Sequence, residues 1–400
     1  MSFNGGTSAG AILELVRSGR VRTRREVQDL TGISRSTLAL RMTQLQDAGY
    51  LLETGQIAGT TGRPARILSF DESGQIVLAV DLGATHAHLA VIDGAGLVLA
   101  EASSEIKIDR GPDEVLRGVI KRLFELLARS GRDPRSVAGI GIGIPGPVRF
   151  STRRPNQPPL MPGWHDYPVA ERLGDAFGVP AFVDNDANLM GLGEMRARYP
   201  ASPSVLFVKV GTGIGAGVIL HGEPERGIAG GAGDIGHIRM GAQYTRLCTC
   251  GAIGCIATEA SGSAIIRELA EAGIAASTTS DITRLLAAGD PTAIRLVTRA
   301  GHLLGEVLAT SVALLNPEVI IVGGAIAAAG DHFLQAVRER IFERTVPLAT
   351  RELIIAASAL GPDAAVHGAR HMVIGQTFSA DAVDDRIAGN AAEQSRKAAN

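Results

Sequence analysis

The chain has 400 residues, 45% of them hydrophobic and 20% charged, with a formal net charge of −2. That length holds more than one domain with a sizeable core, and the balance is that of a globular chain rather than a disordered or fibrous one. No run of about 18 apolar residues marks a membrane span, and the opening MSFNGGTSAG lacks the basic and apolar regions of a secretion signal, so a cytoplasmic protein with no membrane partner is expected.

Charge is unevenly spread. Residues 1–70 hold nine arginines, no lysine and five carboxylates, a surplus of four positive charges, so a polyanion partner is expected at this end alone. Residues 11–18 and 23–30 carry amphipathic spacing, Gly32 breaks the chain, and Ser34 opens a third helix with a capping hydroxyl. This is helix-turn-helix spacing. On the third helix Leu38, Met42 and Leu45 fall at i, i+4 and i+7 and are expected to pack inward. Ser36, Leu40 and Thr43 then face outward, with Thr37 and Gln44 beside them and Arg35 and Arg41 on the flanks. Residues 50–70 read as two β arms around TGQIAGTTGRPAR, a wing whose Arg63 and Arg66 would enter a minor groove or grip phosphate. All nine are candidate DNA contacts of a winged helix-turn-helix over 1–72. A three-helix dimerisation module is the competing reading, disfavoured because acidic residues are scarce on the outward face.

A second domain is expected over 73–378. IVLAVDLGATHAHLAVID (76–93) is an apolar strand, a glycine turn and a second strand, by itself a weak signal because tight turns need glycine anyway. GIGIGIPGPV (139–148) reads as a buried strand ending in a turn at Gly146. Trp164, the only tryptophan, is either core or a ligand lid. In VDNDANLMGLGE a β run feeds Asn185 and Asp186 into a helix start, where α/β proteins place ligands; helix capping is the competing role. A further β run, 205–210, precedes the glycine-rich GTGIGAG, and a polar loop then delivers Asp234 and His237.

The only three cysteines follow within eight residues as Cys-x-Cys-Gly-x-x-Gly-Cys. Cys248, Cys250 and Cys255 supply three thiolates, and His237, eleven positions upstream, completes a closed tetrahedral, structural zinc site. A disulfide would leave one cysteine odd. Farther on, a long helix around 293–315 is expected to pack between lobes or protomers, and the polar tail 379–400 is expected to be disordered.

The glycine turns, the Asp234–His237 loop and the cysteine knot together resemble the ROK family, whose members are sugar kinases or sugar-sensing transcription repressors. The resemblance covers about residues 76–375. It implies an α/β chain: a winged helix-turn-helix followed by a two-lobed ribonuclease-H-like (actin-like ATPase) domain. It implies phosphate loops for ATP and Mg2+ at Asp81, Gly83 and Thr85 and at Gly211, Thr212 and Gly213, with an adenosine-side turn at Gly323 and Gly324. It implies sugar contacts at Gly146, Asn185, Asp186, Asp234 and His237, the histidine placing one ring nitrogen on zinc and the other on a sugar hydroxyl, and Asp186 as general base where kinase activity is retained.

Several positions depart from the family's pattern. Ala84 and His86 stand where its kinases usually show glycine and lysine, Asp234 where glutamate is more common, and Ala257 where a sugar-binding glutamate follows Cys-Leu. Glu259 lies two residues on, toward another helix face. Regulator members bind operators as dimers through a similar Gly-Arg-Pro wing, and free-standing kinases lack that head. The expected function is a sugar-responsive repressor of carbohydrate genes, binding operator DNA as a homodimer or dimer of dimers, with a sugar or sugar phosphate as effector. The alternatives are an ATP-dependent hexose or N-acyl-hexosamine kinase with a DNA-binding head, and a repressor controlled by a protein partner.

Overall fold

In the computed structural model the described residues are 7–57, 65–327 and 330–399. Three helices come first: Ala9–Arg17, Arg24–Thr31 and Arg35–Asp47. Each opens on a hydroxyl cap: Ser8, Thr23 and Ser34 accept from the backbone amides of Ala11, Glu26 and Thr37. Gly32, at a φ of 70°, closes the second helix in the left-handed conformation. Strands Leu51–Ile57 and Ala65–Phe70 pair antiparallel behind them. The wing tip with Arg63 lies outside the described residues.

The rest of the chain builds two five-stranded sheets with the same plan. The first runs Val98–Glu105, His86–Asp93, Ile76–Leu82, Val137–Ile144, Ala181–Asn185 in spatial order. The second runs Glu223–Glu225, Ile214–Leu220, Ser204–Val210, Val319–Gly323, Ile354–Ala357. In each, two antiparallel neighbours lie on one side of the central strand and two parallel neighbours on the other. Such doubled sheets place their ligand crevice at the carboxyl ends of the parallel strands. Those ends here are Asp81–Leu82, Ile144, Asn185, Val210 and Gly323.

Helices Asp186–Arg198 and Ala364–Thr377 cross between the sheets. Glycine makes the crossing close: a methyl group at Gly193 would run into the Ala364 carbonyl, and one at Gly368 into the Leu189 carbonyl. The core along this crossing continues without a break into the winged helix, where Ile12, Leu38, Met42 and Leu45 belong to the same buried cluster as Val77, Phe182 and Phe378.

Three expectations meet the tertiary structure here. The tail is not disordered: Ala380–Ala399 is a helix that lies against Ala9–Arg17. Val383 and Ile387, one turn apart, make an apolar stripe that the polar composition hid, Val383 is buried, and Asp384 Oδ1 accepts from the Gly10 amide at 2.9 Å. The helix Pro291–Leu315 packs inside the second lobe, against Asp331–Arg344, with Gly301 against the Phe333 carbonyl. Trp164 is core, fully buried, with Nε1 donating to the Ile108 carbonyl at 3.1 Å.

Candidate functional site

The strand ends converge on one cleft of about 680 Å³. Its walls include Asp81, Gly83 and Thr85 from the first hairpin, Gly146, Asn185 and Asp186 from the parallel strands, and Gly211, Thr212 and Gly213 from the second lobe. Asp234, His237, Cys248, Gly323 and Gly324 complete the same cleft. Residues spread over 240 positions thus share one cavity because both sheets present their carboxyl ends to it.

The glycines are not equivalent. Side chains at Gly211 and Gly213 would meet nothing within 4 Å, so packing does not demand glycine at these two, and the Gly211 amide closes the turn by donating to the Gly213 carbonyl at 3.0 Å. Gly323 and Gly324 are demanded by packing: a methyl group would strike the Phe207 ring at one and the Val210 carbonyl at the other, and Gly324 has a φ of 89°. At Gly83 the His86 ring already fills the space a side chain would take, and its Nε2 stands 3.7 Å from Asp81 Oδ2. His86 therefore covers the first hairpin turn.

Asn185 caps its helix. Its Oδ1 accepts from the Ala187 and Asn188 amides at 2.9 and 3.3 Å, while its Nδ2 donates to the Gly146 carbonyl at 3.1 Å. Asp184 is occupied by Arg226, at 2.8 Å from Nε and 2.7 Å from Nη2, and by Asn188 Nδ2 at 2.9 Å. Asp186 faces the cleft. Its Oδ1 accepts from the Ala187 amide at 2.8 Å and its Oδ2 lies 2.5 Å from Lys209 Nζ.

Lys209 was not singled out by the sequence reasoning, although a lone charge in the apolar strand SVLFVKV was a visible signal. Burial pushes the Asp186 carboxyl upward, Lys209 opposes that rise and Asp81 adds to it. Burial also pushes Asp81 upward, but Lys209 and His86 outweigh it and hold that carboxyl below its ordinary range. Desolvation works against the half-buried Lys209 ammonium, but Asp186 and Asp81 outweigh it and hold the lysine charged. Asp81 Oδ1 is buried without a hydrogen-bond partner.

The cysteine knot forms the outer wall. His237, Cys248, Cys250 and Cys255 bring one ligand atom each to within 4.8 Å of all the others. The cysteines are free. Cys250 and Cys255 sulfurs are 3.7 Å apart, and Cys248 Sγ lies 3.4 Å from His237 Nδ1. Zinc with Zn–S bonds of about 2.3 Å in a tetrahedron separates its sulfurs by about 3.8 Å, so the residues fit that ion. Burial, with two neighbouring sulfurs, pushes the Cys255 thiol up to about 12, so three thiolates need a cation to share this space. His237 turns Nε2 the other way, toward Asp234 Oδ1 at 3.9 Å. Ala257 and Thr258 line the cleft beside it, whereas Glu259 is buried, accepting from Thr258 Oγ1 at 3.1 Å.

The winged helix presents a second surface. Leu38, Met42 and Leu45 are buried. Arg35, Ser36, Leu40 and Thr43 are exposed, with Thr37, Arg41 and Gln44 half-buried beside them. Leu40 is 57% exposed, unusual for a leucine unless something covers it. Arg41 donates to Gln44 Oε1 at 3.1 Å. Glu53 takes up part of the basic charge, 2.6 Å from Arg24 and 3.9 Å from Arg66.

Fold and cleft together define a protein with a sugar-kinase-like pair of lobes behind a winged helix. The ROK family model matches residues 77–376, and the chain belongs to that family. The xylose repressor of Caldicellulosiruptor bescii is 26% identical over 382 residues, 92% of this chain and 95% of that protein. The glucokinase of Halalkalibacterium halodurans is 29% identical over 311 residues, covering 74% of this chain and 94% of its own. Among solved structures, a ROK family transcriptional regulator homologous to the Escherichia coli MLC protein superposes with a TM-score of 0.79 at 26% identity, over 95% of this chain and 98% of its own. Among the described residues, no helix is long and apolar enough to cross a membrane.

Proposed function

We propose that this chain is a cytoplasmic, sugar-responsive transcriptional repressor of carbohydrate genes. The observation that carries the reading is the winged helix packed into one core with the two lobes. Likeness to the regulators runs through that head and along nine-tenths of the chain, whereas likeness to the glucokinase covers 74% of it. Ser36, Thr37, Leu40, Thr43 and Gln44 face the major groove, Arg35 and Arg41 beside them reach bases or phosphates, and Arg66 with the wing holds the backbone. Two copies pair to read a two-fold operator. Exposed Leu314, Val346 and Leu348, at adjoining ends of second-lobe helices, offer an apolar surface for that pairing.

The effector is a sugar held between Asn185, Asp186, Asp234 and His237. The naming of the relatives favours a pentose such as xylose as the first ligand to test. His237 binds structural zinc with Nδ1, together with Cys248, Cys250 and Cys255, and offers Nε2 to the sugar. Sugar binding favours one closure of the lobes, and the packed helices carry that change to the head.

The test is selection of bound duplexes from a random pool by the zinc-loaded full-length protein, then anisotropy on the selected site against a panel of pentoses, hexoses, amino sugars and their phosphates. A salt-sensitive specific complex whose affinity shifts with one sugar is the expected result. Sugar-dependent ATP turnover that vanishes in Asp186→Asn, with no specific DNA complex, overturns it in favour of a kinase.

A further inference from the structure

Two buried carboxylates that face one cleft repel each other unless a cation lies between them, and a divalent ion with oxygen ligands is the usual solution. In this chain the cation is a side chain. Lys209 Nζ lies 2.5 Å from Asp186 Oδ2, with the lysine and aspartate side chains 16% and 7% exposed. The strand Ser204–Val210 aims it there from the second lobe, while Asp186 starts the helix that crosses from the first. Asp81, from the first hairpin, lines the same cleft with Oδ1 buried and unpartnered.

We infer that Lys209 is a tethered cation that, paired with Asp186 in the cleft that Asp81 also lines, takes the place a divalent metal ion would fill there. Both oxygens of Asp186 are engaged, one by the Ala187 amide and one by the ammonium. The trio Asp81, Asp186 and Lys209 carries two negative charges and one positive, a net of about −1, so a phosphate brought against it would meet two carboxylates and a single ammonium. The cleft is thereby built for an uncharged sugar, bound without phosphoryl transfer. This consequence rests on the sensor reading, while the charge substitution itself does not.

The experiment is titration of the zinc-loaded full-length protein with Mn2+ alone, followed by the electron paramagnetic resonance of the free ion. Wild type is expected to show no tight site in the cleft. Lys209→Met is expected to gain one Mn2+ site at least about tenfold tighter than any in wild type, and Asp186→Asn in that background to remove it. Lys209→Arg, which keeps the charge, is expected to behave as wild type. Should Lys209→Met not fold, Lys209→Gln, which retains a donor for Asp186, carries the same expectation. No gain in either neutral variant, a gain that survives Asp186→Asn, or a wild-type site of equal strength that Asp186→Asn abolishes each overturns the inference. Operator binding is read separately, so a chain that failed to repress would leave the Mn2+ outcome standing.

Discussion

The ring of Phe378 stands edge-on to that of Phe70, with centroids 4.8 Å apart, and to that of Tyr50 at 5.3 Å. Phe378 ends the helix Ala364–Thr377, and its carbonyl accepts from Arg17 Nη1 at 2.6 Å, so one residue joins the lobes to the winged helix by packing and by a charge-assisted bond. Phe378→Ala is expected to cost about 3–5 kcal/mol of stability, as for a fully buried phenylalanine. The sugar effect on operator affinity should vanish while the operator is still bound. Thermal unfolding and anisotropy with and without sugar check both; an intact sugar response rules out this joint as the route.

Asp234 and His237 lie on the zinc-side wall of the cleft, 3.9 Å apart. Losing a charged acceptor to a sugar hydroxyl costs about 1.5–3 kcal/mol. Asp234→Ala should therefore weaken sugar binding roughly ten- to hundredfold in calorimetry, with little change in melting temperature, because the Asp234 side chain is about 43% exposed.

Removing the metal should act on the ligand through His237. One zinc per chain is expected by elemental analysis. Cys250→Ser should lose it and with it most of the sugar affinity, since the imidazole then loses its orientation. A variant that loses zinc yet binds sugar normally would show that the knot does not set His237.

Arg35 stands exposed at the first turn of the outward-facing helix. If it neutralises a phosphate, Arg35→Ala should reduce the slope of log affinity against log salt by about 1 and weaken binding to all sequences alike. A base-contacting Arg35 would instead relax specificity at one operator position.

His371 gives an acid-sensitivity test. Burial, and then Arg370, Arg196 and His367, push its imidazole down to about 2. The unfolded chain takes up that proton near pH 6.5, so between about pH 6.5 and 2 the unfolded state binds more protons, and stability falls as pH falls by about 1.4 kcal/mol per unit from this group. His371→Gln removes this contribution. Urea unfolding at pH 7 and pH 5 should show the variant losing about 2 kcal/mol less than wild type over that interval.

Short-range physics explains what could be read without coordinates. The hydroxyl cap at Ser34 and the spacing of Leu38, Met42 and Leu45 act within three to seven residues, so the start and the inward face of the third helix were legible. The cysteine knot was legible for the same reason, three thiols within eight residues having few places to go. The glycine turns marked strand ends, although only packing separates Gly211 and Gly213, where a side chain would meet nothing, from Gly323 and Gly324, required by the core.

What only the tertiary structure decided is every contact made across a long stretch of chain. Lys209 is visible in its strand, but that its ammonium meets Asp186 depends on how two sheets are set face to face. The tail looked too polar to order. Asp384 nevertheless meets Gly10 across 374 positions, because a helix at the other end of the chain offers Val383 a surface to bury. Local propensity and spacing are properties of neighbours along the chain, whereas charge pairing and burial depend on which distant neighbours the fold supplies.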